Sequence, residues 1–273
     1  MTMADPASQK VYTHGHHASV LSSHSWRTAE NSAPHLLPHL TADQTVLDVG
    51  CGPGTITADF AKLTKHVTAI ETTDSILAIA AQNASAKGVT NITFELDDVH
   101  KLKYADGTFD VVHAHQVLQH VSDPICALRE MRRVTKPGGI VAVREVDFAG
   151  TVWYPAVEGL PEWLALYSRV ARANGGEPDA GRRLHAWARA AGFDPVKIAK
   201  SSSTWTYSTE AEVAWWSKLW AERTLASDFA KTALAKGVAN QEQLEAVSKT
   251  WRAWGASEDP WFALLNGEII ARV

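Results

Sequence analysis

The stretch TVLDVGCGPGTIT, residues 45–57, decides how this chain is read. β-Branched and apolar residues run into Asp48. Gly50, Gly52 and Gly54 follow at alternate positions, with Pro53 between the last two. Glycine at a strand end lets the chain turn tightly and lets a ligand lie against bare backbone. In an open parallel sheet, ligands bind outside the carboxyl ends of the strands, where strand order reverses. Nucleotide-binding sheets share this device, so the glycines alone do not name the ligand. Thr55 stands where a dinucleotide fingerprint wants its third glycine. No Lys-Ser/Thr pair follows, which excludes a Walker-type phosphate cradle. Asp48 would repel a pyrophosphate and would suit a ligand carrying an ammonium and a sulfonium.

Outward from this loop, strand and helix patterns alternate. Strands are expected at 46–49, 67–71, 92–96, 110–115 and 140–146, and helices at 55–63, 74–86 and 124–134, the last closed by KPGG. Short connections and continuous apolar strands predict a parallel sheet covered by helices on both faces. After Gly150 the pattern changes. Two helices, a strand within 195–207 and two or three helices over 210–255 are expected, then a last, antiparallel strand in PWFALLNGEIIARV. Residues 12–40 read as one or two short helices broken by Pro34 and Pro38.

The 273 residues suit one large domain or a domain with a sizeable insertion. Apolar residues make up 45% and charged ones 21%, enough for a core and too apolar for disorder. A net charge of −4 gives no general attraction for nucleic acid or anionic membrane. Two cysteines, Cys51 and Cys126, form no disulfide framework and fit a reducing compartment. The polar start MTMADPASQK has no apolar signal core, and no apolar run is long enough to span a bilayer. A cytoplasmic protein is expected. Ten of the eleven tryptophans follow residue 150, so the two halves of the chain have different tasks.

Four segments resemble the class I S-adenosylmethionine-dependent methyltransferases: VLDVGCGPG, VTAIE, the FELDDVHKLKYADGTFDVVHAHQVLQHVSDP stretch, and LREMRRVTKPGGIVAV. Together they span roughly residues 44–148 in the family's order. The resemblance implies a Rossmann-like fold and S-adenosyl-L-methionine as cofactor. It implies that the loop of Asp48, Gly50, Cys51, Gly52 and Gly54 meets the cofactor. It places Glu71, followed by Thr72, at the ribose, Asp98 and Val99 at the adenine, and His115 and Gln116 beside the sulfonium. A carboxylate at Glu71 can accept hydrogen bonds from two vicinal hydroxyls. Where many family members have Gly-Asp, this chain has Asp97-Asp98. In similar enzymes the amino-terminal segment folds over the cofactor as a lid, which would bring Tyr12 to the cofactor and Trp26 to the acceptor pocket. A surface arm or a dimer-swapped helix is the alternative for that segment.

The resulting division is a tail and helical lid over 1–43, a cofactor-binding core over 44–150, and the rest of the sheet with tryptophan-rich helical insertions over 151–273. The expected activity is methyl transfer to a small, apolar or aromatic organic acceptor, with no nucleic acid or membrane partner and with room for a homodimer. His115 is the first candidate base and His120 the second, since an imidazole suits proton removal near neutral pH. Packing or cofactor contact for His115, and a helix-start role for His120, stay open. His113 and His115 share one strand face but are too few for a closed metal site, so no metal is expected. Glu145, Trp153 and Tyr154, at and beyond the fifth strand, are the expected pocket residues. An Arg144–Glu145 network at the sheet edge, and helix-packing core for any tryptophan, are the alternatives. Two other functions compete. One is a nicotinamide-dependent oxidoreductase, which lacks its third glycine here. The other is a protein that binds the cofactor without methylating, cyclase-like or regulatory.

Overall fold

The computed structural model describes residues 24–273. Five strands run parallel: β1 (Thr45–Val49), β2 (His66–Glu71), β3 (Ile92–Leu96), β4 (Phe109–His115) and β5 (Thr135–Val146). Their spatial order is β3-β2-β1-β4-β5. β1 lies between β2 and β4, so the chain winds one way from β1 and then returns to the other side. That reversal opens a crevice at the carboxyl ends of β1 and β4. The sheet continues through β8 (Trp261–Arg272), antiparallel to β5. β6 (Val152–Tyr154) and β7 (Ile198–Tyr207) both pair antiparallel with β8.

The central strands are buried on both faces, which is why they read as unbroken apolar runs. Val46, Val67, Val111 and Ala142 pack against α1 (Ala29–Ser32) and α2 (Thr55–Ala61). Ala69 meets Leu77 and Ala80 of α3 (Asp74–Ala86) on the same side. Leu47, Val112, Val141 and Val143 face the opposite way, onto α4 (Pro124–Val134) and α6 (Leu184–Ala190). Asp123 starts α4 by accepting the Cys126 amide at 2.8 Å.

A third core forms the cap. It joins α5 (Leu160–Ala173), α7 (Glu210–Ala226), α8 (Asp228–Ala235) and α9 (Gln241–Gly255) to Val146, Tyr207 and Phe262 of the sheet. Val146 and Tyr207 end their strands and Phe262 lies near the start of an antiparallel one, so the cap stands over the crevice end of the sheet. α7 opens with a reciprocal Thr209–Glu212 box and α9 with an Asn240–Gln243 box, which satisfy amides the helices would leave orphaned. Trp163, Trp251 and Trp254 are fully buried cap core, with Trp163 and Trp251 edge to face at 4.7 Å. Among the described residues no helix is long and apolar enough to cross a membrane.

β5 is longer than the sequence suggests. KPGG was expected to separate α4 from a strand beginning at 140, but pairing starts at Thr135, opposite Phe109. The register then shifts before Val111 meets Ile140, so the Pro-Gly turn is an irregularity inside the ladder.

Candidate active site

The crevice is one continuous space of about 1930 Å³, counting its open mouth. One end is built by the glycine loop, the tip of β2 and the β3–β4 connection. The other is an aromatic wall of Trp26, Phe148, Trp205, Tyr207, Trp216 and Trp220. Arg27, His115, Gln116 and Gln119 lie along the lining as well.

At the first end, the backbone is bare where a ligand would lie. A Cβ placed on Gly52 meets no atom of the described residues within 4 Å. The Gly52 amide lies 3.4 Å from Glu71 Oε2, while Glu71 Oε1 accepts the Thr72 amide at 2.7 Å. Glu71 therefore sits at the strand tip with its carboxylate against the loop. Asp98 leaves 45% of its side chain exposed and accepts from His100 Nδ1 at 2.7 Å. Val99 is buried in the same wall, and Cys51 is buried under the loop. Burial, with Asp48 and Glu71 nearby, pushes the Cys51 thiol well above its usual range, so it stays protonated.

Asp48 lines the crevice, yet both its oxygens are occupied. Oδ2 accepts the Thr57 hydroxyl at 2.5 Å and Oδ1 meets His113 Nδ1 at 2.8 Å. It braces β1 to α2 and β4, and so fixes the loop between them. His113 also makes an edge contact with Phe60, with ring centres 4.8 Å apart.

At the centre, His115 is 6% exposed, and among the described residues neither ring nitrogen has a hydrogen-bond partner. Burial, then the charges of Arg27 and Arg144, hold its pKa well below 6.5. Burial and Arg27 hold His120 down as well, at about 3. Both imidazoles are neutral at pH 7. Gln116 has φ +55, a left-handed conformation uncommon for a side-chain-bearing residue. Its amide donates to the Arg144 carbonyl at 2.9 Å and its Oε1 accepts from Arg27 Nη2 at 2.7 Å. Such strain persists only when neighbours over-determine it, and it clusters at functional sites.

Trp205 is firmly held within the aromatic end. Its indole N–H donates to the Asn31 carbonyl at 2.6 Å, and Trp26 stands edge-on at 5.5 Å. The Arg144 guanidinium lies 4.5 Å from its ring centre and that of Arg27 lies 5.4 Å away. Arg144 is fully buried and pairs with Glu268 at 3.2 Å.

Three expected pocket residues lie elsewhere. Glu145 is fully buried and does not line the crevice. Its Oε1 accepts the amides of Val117 and Leu118 at 2.8 and 2.7 Å, and Oε2 accepts that of Gln119 at 3.3 Å. It anchors the turn after β4 instead of facing an acceptor. Nor do Arg144 and Glu145 form a network at the edge, because successive strand residues point to opposite faces. Trp153 stacks on Phe262 at 6.4 Å, outside the lining. Tyr154 is 60% exposed. Past the turn at Phe148–Gly150 the chain continues along β8 in the direction of β5, and Phe148 lines the crevice while Trp153 and Tyr154 do not. Trp26 does line it. Tyr12 lies outside the described residues.

Among the pocket residues missed from sequence are Arg27, Gln119, Phe148, Tyr207 and Arg223. The tryptophan excess of the second half was the available signal for the wall, though not for which indoles form it.

The family profile described as "Methyltransferase domain" matches residues 40–192. An uncharacterized methyltransferase of Schizosaccharomyces pombe is 33% identical over 98% of both chains. The Aspergillus luteorubrus protein named probable methyltransferase ltbC is 31% identical, covering 98% of this chain and 99% of its own. A Bacillus halodurans C-125 crystal structure superposes with a TM-score of 0.56 at 17% identity, over 93% of this chain and 99% of that one. That last likeness concerns the fold.

Proposed function

Since this chain belongs to the class I S-adenosylmethionine-dependent methyltransferases, we propose that its aromatic wall receives a small, mostly apolar or aromatic acceptor. The observation that carries this is the continuity of the crevice: the glycine loop and Glu71 open directly onto Trp205, Tyr207, Trp216 and Trp220.

The residues present fit the cofactor. The space over Gly52 accepts a ligand against backbone, and the Glu71 carboxylate beside it is placed for vicinal hydroxyls. Asp98 and Val99 would flank the base, and His115 with Gln116 the reacting end. Bound there, S-adenosylmethionine supplies an electrophilic methyl group on a positively charged sulfur. The chain's share is alignment and exclusion of water. Trp205 is held by its N–H and by two guanidiniums, so it offers a rigid face against which an acceptor ring is oriented. His115 is reassigned within this reading. An imidazole held well below its ordinary pKa stores a proton poorly, so His115 orients an acceptor through a neutral ring.

Incubation with methyl-labelled S-adenosylmethionine and a panel of phenols and terpenoids tests the proposal. Label is expected in an extractable aromatic or apolar product. Tight binding of S-adenosylhomocysteine with label reaching no acceptor would favour a non-methylating, cyclase-like or regulatory role.

A further inference from the structure

The aromatic wall is not purely apolar, and its polar atoms are specific. Among the described residues, buried lining atoms with no hydrogen-bond partner include His115 at both ring nitrogens, Gln119 at Oε1 and Trp216 at Nε1, besides the Nε2 atoms of His100 and His113 nearer the glycine loop. His115 is 6% exposed, and Gln119 and Trp216 are each 4% exposed. Leaving such atoms unsatisfied is costly. A hydrocarbon acceptor would leave all of them so.

We infer that the crevice recognises an acceptor through an acidic oxygen, a phenol or enol hydroxyl, rather than through an amine. This rests on the acceptor reading above and narrows it.

The chemistry of the three groups is complementary to a hydroxyl. Gln119 Oε1 takes a proton donor. The Trp216 N–H gives to an oxygen lone pair. A neutral His115 ring does one at each nitrogen. A protonated amine satisfies only the acceptors and strands the indole N–H.

Electrostatics points the same way. Arg27 and Arg144 both stand over Trp205, which meets His115 edge-on at 5.5 Å. Glu268, opposite Arg144 on β8, offsets part of its charge. Arg223, 5% exposed, adds a guanidinium to the lining at the Trp220 ring, 4.9 Å from its centre. The acids of the described lining, Asp48, Glu71, Asp97 and Asp98, all belong to the glycine-loop end. Positive charge around a site favours the anion of a bound acid and disfavours an ammonium. The depressed pKa of His115 has the same origin, after burial.

The test uses protein saturated with S-adenosylhomocysteine and three probes of one ring size: 2-naphthol, naphthalene and 2-naphthylmethylamine. Affinities are measured by calorimetry. 2-Naphthol is expected to bind at least about ten-fold tighter than either of the others. Its absorption should move toward the naphtholate band at a pH where the free compound is neutral. Gln119→Leu and Trp216→Phe should each cut the advantage of naphthol over naphthalene to below about three-fold. Should one variant fail to fold, the other carries the same readout, and the wild-type comparison stands alone. An amine that binds as tightly as the naphthol, or a naphthol no tighter than naphthalene, overturns the inference and leaves the aromatic-acceptor proposal standing. Binding of none of the three overturns that proposal too.

Discussion

Two glycines of one loop should fail in opposite ways. Gly52 and Gly54 both have positive φ, +53° and +73°. A side chain in that conformation costs about 1–2 kcal/mol. An added Cβ at Gly52 meets nothing within 4 Å among the described residues, so Gly52→Ala should lose only that amount of stability. The same atom at Gly54 would lie 2.9 Å from Ala80 Cβ and 3.1 Å from its Cα, and backbone cannot swing aside. Overpacking of that kind adds about 1–3 kcal/mol. At roughly 2–4 °C per kcal/mol, Gly52→Ala should lower Tm by about 2–8 °C and Gly54→Ala by about 4–20 °C. Affinity should rank the other way. The methyl on Gly52 occupies the space assigned to the cofactor, and a loss of at least about ten-fold, or ~1.4 kcal/mol, is expected for S-adenosylhomocysteine. The assay is a thermal melt paired with calorimetric titration at a temperature where both variants are folded. A Gly52→Ala protein that binds like wild type would refute the placement of the ligand on bare backbone. Equal thermal losses in the two variants would refute the packing argument.

Glu71→Ala should weaken S-adenosylhomocysteine binding by about 1.5–3 kcal/mol, the scale of hydrogen bonds to a charged group; an unchanged calorimetric Kd would dismiss Glu71 as the ribose anchor. Glu145→Gln tests the buried carboxyl under the crevice. Burial raises its pKa to about 8, against the opposing pull of three backbone amides. A raised pKa means the folded state holds the proton more tightly. The stability linked to Glu145 is therefore full below about pH 4.5 and falls as pH rises toward 8. The wild-type advantage over Glu145→Gln should shrink by up to about 1.4 kcal/mol per pH unit across that window. Urea unfolding between about pH 5.5 and 8.5 reads it, and a pH-independent difference contradicts it.

The half of the site built from local chain was legible in the sequence. The glycine loop, the strand before it and Glu71 at the next strand tip follow from spacing along one continuous segment. α3 spans the expected 74–86, because its start at Asp74 and the Gly88 stop frame it. The acceptor end was not legible to the same degree. Glu145 could be placed on β5, but its face depends on strand parity and on what packs above, and it faces the amides of 117–119. Trp153 and Tyr154 follow β5 directly, yet a single turn at Phe148–Gly150 carries them out of the crevice. Trp205, Trp216 and Trp220 arrive from β7 and α7, and only tertiary packing selects them over Trp163, Trp251 and Trp254. His115 was correctly located at the end of β4, but its environment of guanidiniums comes from Arg27 and from Arg144 on a neighbouring strand.

A crystal structure with S-adenosylhomocysteine bound tests the central claim most directly. The account expects the ribose hydroxyls on Glu71, the base beside Asp98 and Val99, and the sulfur turned toward His115 and the Trp205 face. A ligand seated elsewhere, or a crevice left empty at saturating concentration, would contradict it.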